Sequence, residues 1–363
     1  MKILQVLAGG KFGGAETAFV DMAIALHEAG QTVEVATRAN DIRVPRLRAA
    51  GVPVHTLPFG GGFDFYTRWK LKRIIRRFRP DIVQSWMSRA SAAVPKWTPG
   101  MGIPRYQVVS RLGGYYKLKY FRAADHYLAI TPDIARYIVA GGINAGRVHF
   151  IANFAETEPV EQPVDRSQLA VPEGAPLLLA MGRLHDAKGF DTLIETVAAM
   201  PGVHLRIAGE GPDRASLEGL IARLAADGGA AADAQARIKL LGWRTDRAAL
   251  LQASDIFVMS SRKEPFGTIF VQAWAENTPL IATRAEGPSQ FVQDGEDGLL
   301  VDIDDKAEMR AAIQRLIDDP ALARQLSAAG YQRYLQEFTK QACVEAHLAF
   351  YNAIRVGVSA DPA

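Results

Sequence analysis

Cysteine is almost missing from this chain. Cys343 stands alone among 363 residues, which excludes a disulfide framework and any multi-cysteine metal site. A single thiol suits a reducing cytosol. The seven histidines (27, 55, 126, 149, 185, 204 and 347) show no i, i+4 pair, so no zinc site is expected. GxSxG, GxxxxGK[ST], HExxH and GxGxxG are all absent, which disfavours a serine hydrolase, a P-loop enzyme, a zincin and a nicotinamide dehydrogenase. No apolar run approaches the roughly 20 residues that span a bilayer; the longest, Pro176–Met181, has the length of a strand. The start, MKILQVLAGGKFGG, runs from a strand pattern into glycines without a signal-peptide core, so the expected location is cytoplasmic.

What is present is ordinary globular sequence, 48% apolar and 22% charged, too long for one compact core. Its charge is uneven. The first 150 residues carry 22 Lys and Arg against 9 Asp and Glu, a net of +13, and the remainder has a net of −10. A basic first half attracts polyanions or an anionic membrane face. Seven of the twelve residues Arg68–Arg79 are basic, and Leu71, Ile74, Ile75 and Phe78 recur with helical period. The plainer reading is a solvated amphipathic helix; the sharper one is a peripheral contact with anionic lipid. Residues 115–122 (YYKLKYFR) mix aromatics and bases in the same way. No nucleic-acid module is present, so nucleic acid is not an expected partner.

Strand-like runs alternate with helical patterns throughout. The first half offers Lys2–Leu7, Val33–Thr37, Val54–Leu57, Ile82–Ser85, Tyr106–Ser110, His126–Thr131 and Val148–Ile151. The second offers Leu177–Met181, Val203–Ala208, Ile238–Leu241, Ile256–Ser260, Leu280–Thr283 and Leu299–Asp302. Alternating β and α, with strands apolar on both faces, implies parallel sheets covered by helices. So many strands imply two Rossmann-like α/β domains, with a boundary in the polar stretch Asn153–Pro172. A last helix, about Lys340–Ile354, buries Val344, His347, Leu348 and Tyr351 against one domain or the other, and the tail Gly357–Ala363 is expected to fray.

Ligands of such sheets bind beyond the carboxyl ends of the strands, and four segments occupy that position. Gly9–Glu16 (GGKFGGAE) follows the first strand and opens a helix, whose amides and dipole suit an anion. Arg183 and Lys188 flank His185 in MGRLHDAKG, where two cations can clamp a diphosphate. AGEGPD places Asp213 as an N-cap. In SSRKEPFGTIFVQ, Glu264 precedes a helix expected to start near Phe266, with Gln272 two turns along and facing the same side. Asp302, Asp304 and Asp305 precede another helix and read as caps rather than a metal loop.

Together these segments resemble the retaining nucleotide-sugar glycosyltransferases of family 4, which have the GT-B fold. GRLHDAKGFDTLIETVAAM, VHLRIAGEGPDRASLEGL, IKLLGWRTD and SSRKEPFGTIFVQAWA occur in the family's order and at its spacings, and GGAE fits near the start. The resemblance implies two domains facing a central cleft: an N-terminal acceptor domain (1–155 plus a returning helix at about 340–357) and a C-terminal donor domain (156–339). It implies that Arg183 and Lys188 hold the donor diphosphate and that Glu264 contacts the transferred sugar. Pro265, Phe266, Gly267 and Thr268 fall in the same donor-binding motif, the last three supplying backbone donors. Gly13 and Gly14 close over the diphosphate, and Glu210 and Trp243 meet base and ribose. The motif's second glutamate is Gln272 here; an amide keeps one acceptor and adds a donor, so ribose contact is expected to weaken.

Where many relatives carry a histidine this chain reads Ser85-Trp86-Met87-Ser88-Arg89, which makes Trp86 and Arg89 candidates for the acceptor, with Glu16 and Arg111; a buried core role is the alternative for Trp86. The implied reaction is front-face transfer with retention and without a metal or other cofactor. Its partners are a nucleotide-sugar donor and a phosphorylated or lipid-linked glycan acceptor of lipopolysaccharide core or exopolysaccharide type, met at the inner face of the membrane. A sugar-nucleotide epimerase of the same fold, or a silent binding protein, are the alternatives.

Overall fold

The protein is described from a computed structural model covering residues 1–11, 13–60 and 64–359, with side chains to 355. Phe12 of the glycine loop and residues 360–363 of the tail lie outside the described residues. The chain divides into two compact units, Met1–Phe154 with the segment from Lys340 onward (unit 1) and Ala155–Thr339 (unit 2).

Unit 1 contains β1 (Lys2–Leu7), α1 (Gly14–Glu28), β2 (Thr32–Thr37), α2 (Arg43–Ala49), β3 (Val54–Thr56), α3 (Phe65–Phe78) and β4 (Ile82–Trp86). It continues with α4 (Met87–Ala93), β5 (Gln107–Leu112), β6 (His126–Ala129), α5 (Pro132–Ala140) and β7 (Val148–Phe150). Unit 2 runs β8 (Leu177–Met181), α6 (Phe190–Ala198), β9 (His204–Ala208), α7 (Arg214–Asp227), α8 (Ala234–Arg237), β10 (Ile238–Gly242), α9 (Arg247–Ala253) and β11 (Ile256–Met259). Then come α10 (Thr268–Ala275), β12 (Leu280–Thr283), α11 (Pro288–Phe291), β13 (Leu299–Val301), α12 (Lys306–Asp318) and α13 (Pro320–Arg333). The last helix, α14 (Lys340–Ser359), belongs to unit 1 and is longer than its apolar pattern alone implied.

All thirteen expected strands form, three with the expected bounds and the others with ends shifted by one or two residues. The sheet orders are β3-β2-β1-β4-β5-β6-β7 and β10-β9-β8-β11-β12-β13, and every strand-to-strand ladder is parallel. Each order reverses beside its first strand, at β1/β4 and at β8/β11. Burial explains the pairing. In β1, Ile3 and Leu7 join a core with Phe19 and Leu26, while Leu4 and Val6 face a second core with Leu71 and Ile75. A strand buried on both faces needs helices on both. The aromatic residues Phe266, Phe270, Trp274, Phe291 and Phe338 fill a further layer of unit 2.

Helix starts follow side-chain chemistry. Asp64, Thr131, Asp305 and Asp319 cap α3, α5, α12 and α13 through backbone N–H groups. Asp213 occupies the expected position before α7, yet its side chain makes no cap bond. Helix α10 begins at Thr268, two residues later than expected. Gly267 is left-handed there (φ 96°), and a side chain at that position would lie 2.7 Å from Met259 Cε. The expected amphipathic face of α3 is realised: Leu71, Ile74, Ile75 and Phe78 are buried beneath an exposed basic surface.

Two residues expected to meet an acceptor are instead inside unit 1. Trp86 is 3% exposed; its indole N–H donates to Gln5 Oε1 at 2.6 Å, and its ring stacks edge-on against Phe19. Arg111 is fully buried, with its guanidinium 4.7 Å from the Trp86 ring centroid. It donates to Asn153 Oδ1 at 2.5 Å and to His347 Nε2 at 3.0 Å. Because arginine only donates, His347 is neutral and its Nδ1–H goes to the Cys343 carbonyl at 2.7 Å. Tyr351 completes the network by donating to Gln84 Oε1 at 2.6 Å. These bonds seat α14 on unit 1, where the pattern of the helix had left either domain open. The buried polar faces of β4 and β5 therefore carry architecture, and of the four acceptor candidates only Glu16 and Arg89 stay outside the core.

Burial, reinforced by the Arg111 charge, depresses the His347 imidazole to about 3. Only the unfolded chain then takes up that proton near neutrality, so its share of stability is lost as pH falls below about 6.5. Denaturant titrations of the wild type and His347→Gln from pH 7.5 to 4.5 should show the wild-type advantage shrinking. The limiting slope is about 1.4 kcal/mol per pH unit; a pH-independent difference would contradict the buried neutral histidine.

Candidate functional site

In unit 2 the carboxyl ends of five strands carry loops that are sewn to one another. After β8, Gly182 N–H donates to Ala208 O at 3.0 Å and Leu184 N–H to Glu210 O at 3.0 Å. Gly209 N–H donates in turn to Gly242 O at 2.8 Å. The approach is close enough to require glycine: a Cβ on Gly209 would sit 1.8 Å from Gly182 O. On the other side of β8, Arg262 and Lys263 N–H groups both donate to Ala187 O, and Ser260 Oγ donates to Lys188 O at 2.9 Å. Gly287 N–H reaches Glu264 O at 2.7 Å, and Glu264 N–H reaches Glu286 Oε2 at 3.0 Å.

This rim presents the expected charges at the β8/β11 reversal, where open α/β sheets bind ligands. Lys188 Nζ is ion-paired with Glu264 Oε2, both side chains being largely buried. Arg183 is exposed and, among the described residues, has no hydrogen-bond or ion-pair partner. Gly267 and Thr268 open α10 without a side-chain cap, which leaves first-turn amides for a ligand. Pro265 is exposed beside them, whereas the Phe266 ring is buried among Phe270, Phe291 and Phe338. Phe266 can thus offer only backbone.

Glu210 is exposed and paired with Arg214 at 2.7 Å, and its carboxylate lies against Gly242 at the foot of Trp243, which is 75% exposed. Gln272 makes no hydrogen bond to Glu264. It is 6% exposed, donates to Glu156 O at 3.4 Å, and lines a small cavity with Glu156, Thr157, Thr245 and Arg247. His185 is exposed and accepts from Ala187 N–H at 3.2 Å. In unit 1, Gly13 and Gly14 are exposed at the start of α1, and Glu16 Oε1 accepts from Gly10 N–H at 2.6 Å. Among the described residues, no three His, Cys, Asp or Glu side chains cluster as metal ligands, and no helix is long and apolar enough to cross a membrane.

Sequence spacing missed the residue that fixes the rim. Arg262 forms a bidentate pair with Asp191 at 2.8 and 2.9 Å. Its Nε donates to Asp304 at 2.8 Å, and further bonds reach the Asp186 carbonyl and Thr192 Oγ1. The Asp191 and Asp304 bonds hold its protonation well above the ordinary arginine range, and Asp304 is held below the usual carboxylate range by the same contact. Asp304 is thereby a clamp rather than the cap expected of it; Asp305 alone caps α12. The partners lie 42 to 76 residues from Arg262, so no local motif announces them.

The comparisons fit this geometry. The model described as Glycosyltransferase Family 4 matches residues 12–159, and that described as Glycosyl transferases group 1 matches residues 161–333. The chain belongs to the family 4, group 1 glycosyltransferases. This glycosyltransferase is 36% identical to the lipopolysaccharide core biosynthesis glycosyltransferase LpsE of Rhizobium meliloti (strain 1021), over 93% of this chain and 96% of that protein. It is 34% identical to LpsD of the same organism over 97% and 98% of the two chains. Anabaena HepE, solved in complex with UDP, shares the fold with a TM-score of 0.82 at 21% identity, over 97% of this chain and all of that one. The lipopolysaccharide outer core galactosyltransferase WaaB, in its apo form, gives 0.71 at 19% identity over 98% and 99%. The fold is GT-B, and the epimerase reading finds no support in these matches.

Arg262→Ala should lower stability by about 2 kcal/mol, since it strands three carboxylates that it had paired, and should cut turnover by loosening the Lys188 loop. Arg262→Lys keeps the charge but loses the planar fork, and should recover less than half of either loss. Thermal melts and initial rates check both; wild-type values for the alanine variant would contradict the role.

Proposed function

We propose that this glycosyltransferase moves a sugar, with retention and without a metal, from a nucleoside-diphosphate sugar to a lipopolysaccharide-core or related envelope glycan. The observation that carries the donor half is the convergence, at one sheet reversal, of unpartnered Arg183, the Lys188–Glu264 pair and the uncapped start of α10. Arg183 and Lys188 neutralise the diphosphate as it departs, and the amides of Gly267 and Thr268 add the positive end of a helix dipole. Glu264 positions Lys188 and accepts from sugar hydroxyls. The leaving phosphate oxygen takes the proton of the attacking hydroxyl on the same face. Exposed Trp243 and Glu210 serve the nucleoside, Gln272 the ribose, and Gly13 and Gly14 are assigned to the diphosphate by resemblance.

The acceptor half rests on two relatives of over 30% identity along nearly their whole length, both named for lipopolysaccharide core synthesis, and on the net charge of +13 in residues 1–150. Glu16 and Arg89 are the acceptor-facing residues. The exposed bases of α3 and the exposed Tyr115, Lys117, Lys119, Tyr120 and Arg122 are assigned to an anionic membrane surface on the cytoplasmic side.

Screening UDP-, GDP- and ADP-sugars against a truncated lipopolysaccharide core identifies the donor, and proton NMR of the product should show the donor's anomeric configuration. Activity should survive EDTA. Each charge-assisted bond to phosphate is worth about 1.5–3 kcal/mol, so Lys188→Ala or Arg183→Ala should lower kcat about 10- to 100-fold. Wild-type turnover in both, or an inverted product, would overturn the reading.

A further inference from the structure

We propose that Arg38, Arg43 and Arg89 of unit 1 form a binding site for a phosphoryl group, which on the reading above is a phosphate carried by the acceptor. They come from the carboxyl ends of β2 and β4, the two strands that flank β1: Arg38 directly follows β2, Arg43 opens α2 after the same strand, and Arg89 lies in α4, directly after β4.

Arg38 and Arg43 are each placed by contacts of their own. Arg38 is held by two backbone carbonyls, Nε to Pro58 O at 2.9 Å and Nη2 to Phe59 O at 2.5 Å. This orients the guanidinium and leaves Nη1 for a ligand. Arg43 is 4% exposed and sits against the glycine loop, with Nη1 on Gly10 O at 3.2 Å. Its Nε and Nη2 are closed off from solvent and have no hydrogen-bond partner. Two unpaired N–H groups on one buried guanidinium call for an explanation such as an ordered water or an ion. Arg89 is exposed, and no carboxylate contacts it among the described residues.

The nearby acids are committed elsewhere. Asp64 accepts from Thr67 N–H, Thr67 Oγ1 and Gly60 N–H to cap α3. Glu16 accepts from Gly10 N–H, and Asn40 ties the same loop through Lys11 O at 3.1 Å. Three guanidinium groups thus face two carboxylates that backbone amides already occupy. Mutual repulsion is part of what lowers the protonation range of Arg38, through Arg89, and of Arg43, through Arg38, with burial the larger cause in each. A dianion relieves that repulsion, and a planar fork suits phosphate oxygens.

Calorimetric titration with inorganic phosphate, glucose 6-phosphate and glucose at low salt tests the site directly. The wild type should bind the first two and not glucose. Arg38→Gln/Arg89→Gln changes two side chains outside the core and should weaken phosphate binding at least 10-fold while leaving binding of UDP, GDP or ADP intact. Arg43→Lys should fall between. Arg183→Ala/Lys188→Ala should do the reverse, losing the nucleotide and keeping phosphate.

Phosphate affinity unchanged in the first variant, or lost in the second, overturns the proposal. With a phosphorylated core acceptor, Arg38→Gln/Arg89→Gln should raise acceptor KM at least 10-fold and leave donor KM unchanged. If phosphate binding is lost while acceptor KM stays put, the anion site stands and the acceptor reading for it falls.

Discussion

Everything this protein presents to a ligand in unit 2 depends on one constraint of parallel sheets. Strands that run the same way must be joined by crossovers, and where the strand order reverses, two neighbouring strands send their chains away on opposite sides. At β8 and β11 that divergence leaves loops with unpaired backbone donors and room between them. Lys188 arrives from one side and Glu264 from the other, 76 residues apart in the chain. The ion pair between them is a consequence of topology before it is a feature of chemistry.

Loops at such a position are mobile unless something binds them, and here the binding is mostly backbone. Glycines at 189, 209, 211 and 287 let carbonyls approach within distances that any side chain would forbid. Arg262 then draws Asp186, Asp191 and Asp304 onto one guanidinium. Negative charge near the rim is thereby absorbed by the framework, while Arg183 is left unpaired. A site that must stabilise a departing anion benefits from having its cations preorganised and its acids already engaged.

Unit 1 applies the same logic to a different end. Its interior holds Gln5, Gln84, Trp86, Arg111, His347 and Tyr351 in a polar network. Removing one member would leave its partner unsatisfied in a dry interior. The network joins α14 to the middle of the sheet and reaches Asn153 at the end of the unit. Arg43 is left less complete than Arg111: two of its guanidinium nitrogens, Nε and Nη2, have no partner, against Nε alone in Arg111.

The strand-by-strand plan was legible in the chain because burial on both faces imposes apolar runs, and the helices around them show their period in residues such as Leu193, Ile194 and Val197. The charges of the site were legible too, since Arg183, Lys188 and Glu264 sit within a few residues of glycines that mark strand ends. Folding alone decided which arginines are free and which are spent. Arg111 and Arg262 look no different from Arg89 or Arg183 along the chain, because their partners are 42 to 236 residues away. It also decided that Trp86 supports the core and that the uncapped helix starts at Thr268. Local sequence fixes period, turn and charge over a few residues; pairing between distant side chains is set by how the sheets bring strand ends together.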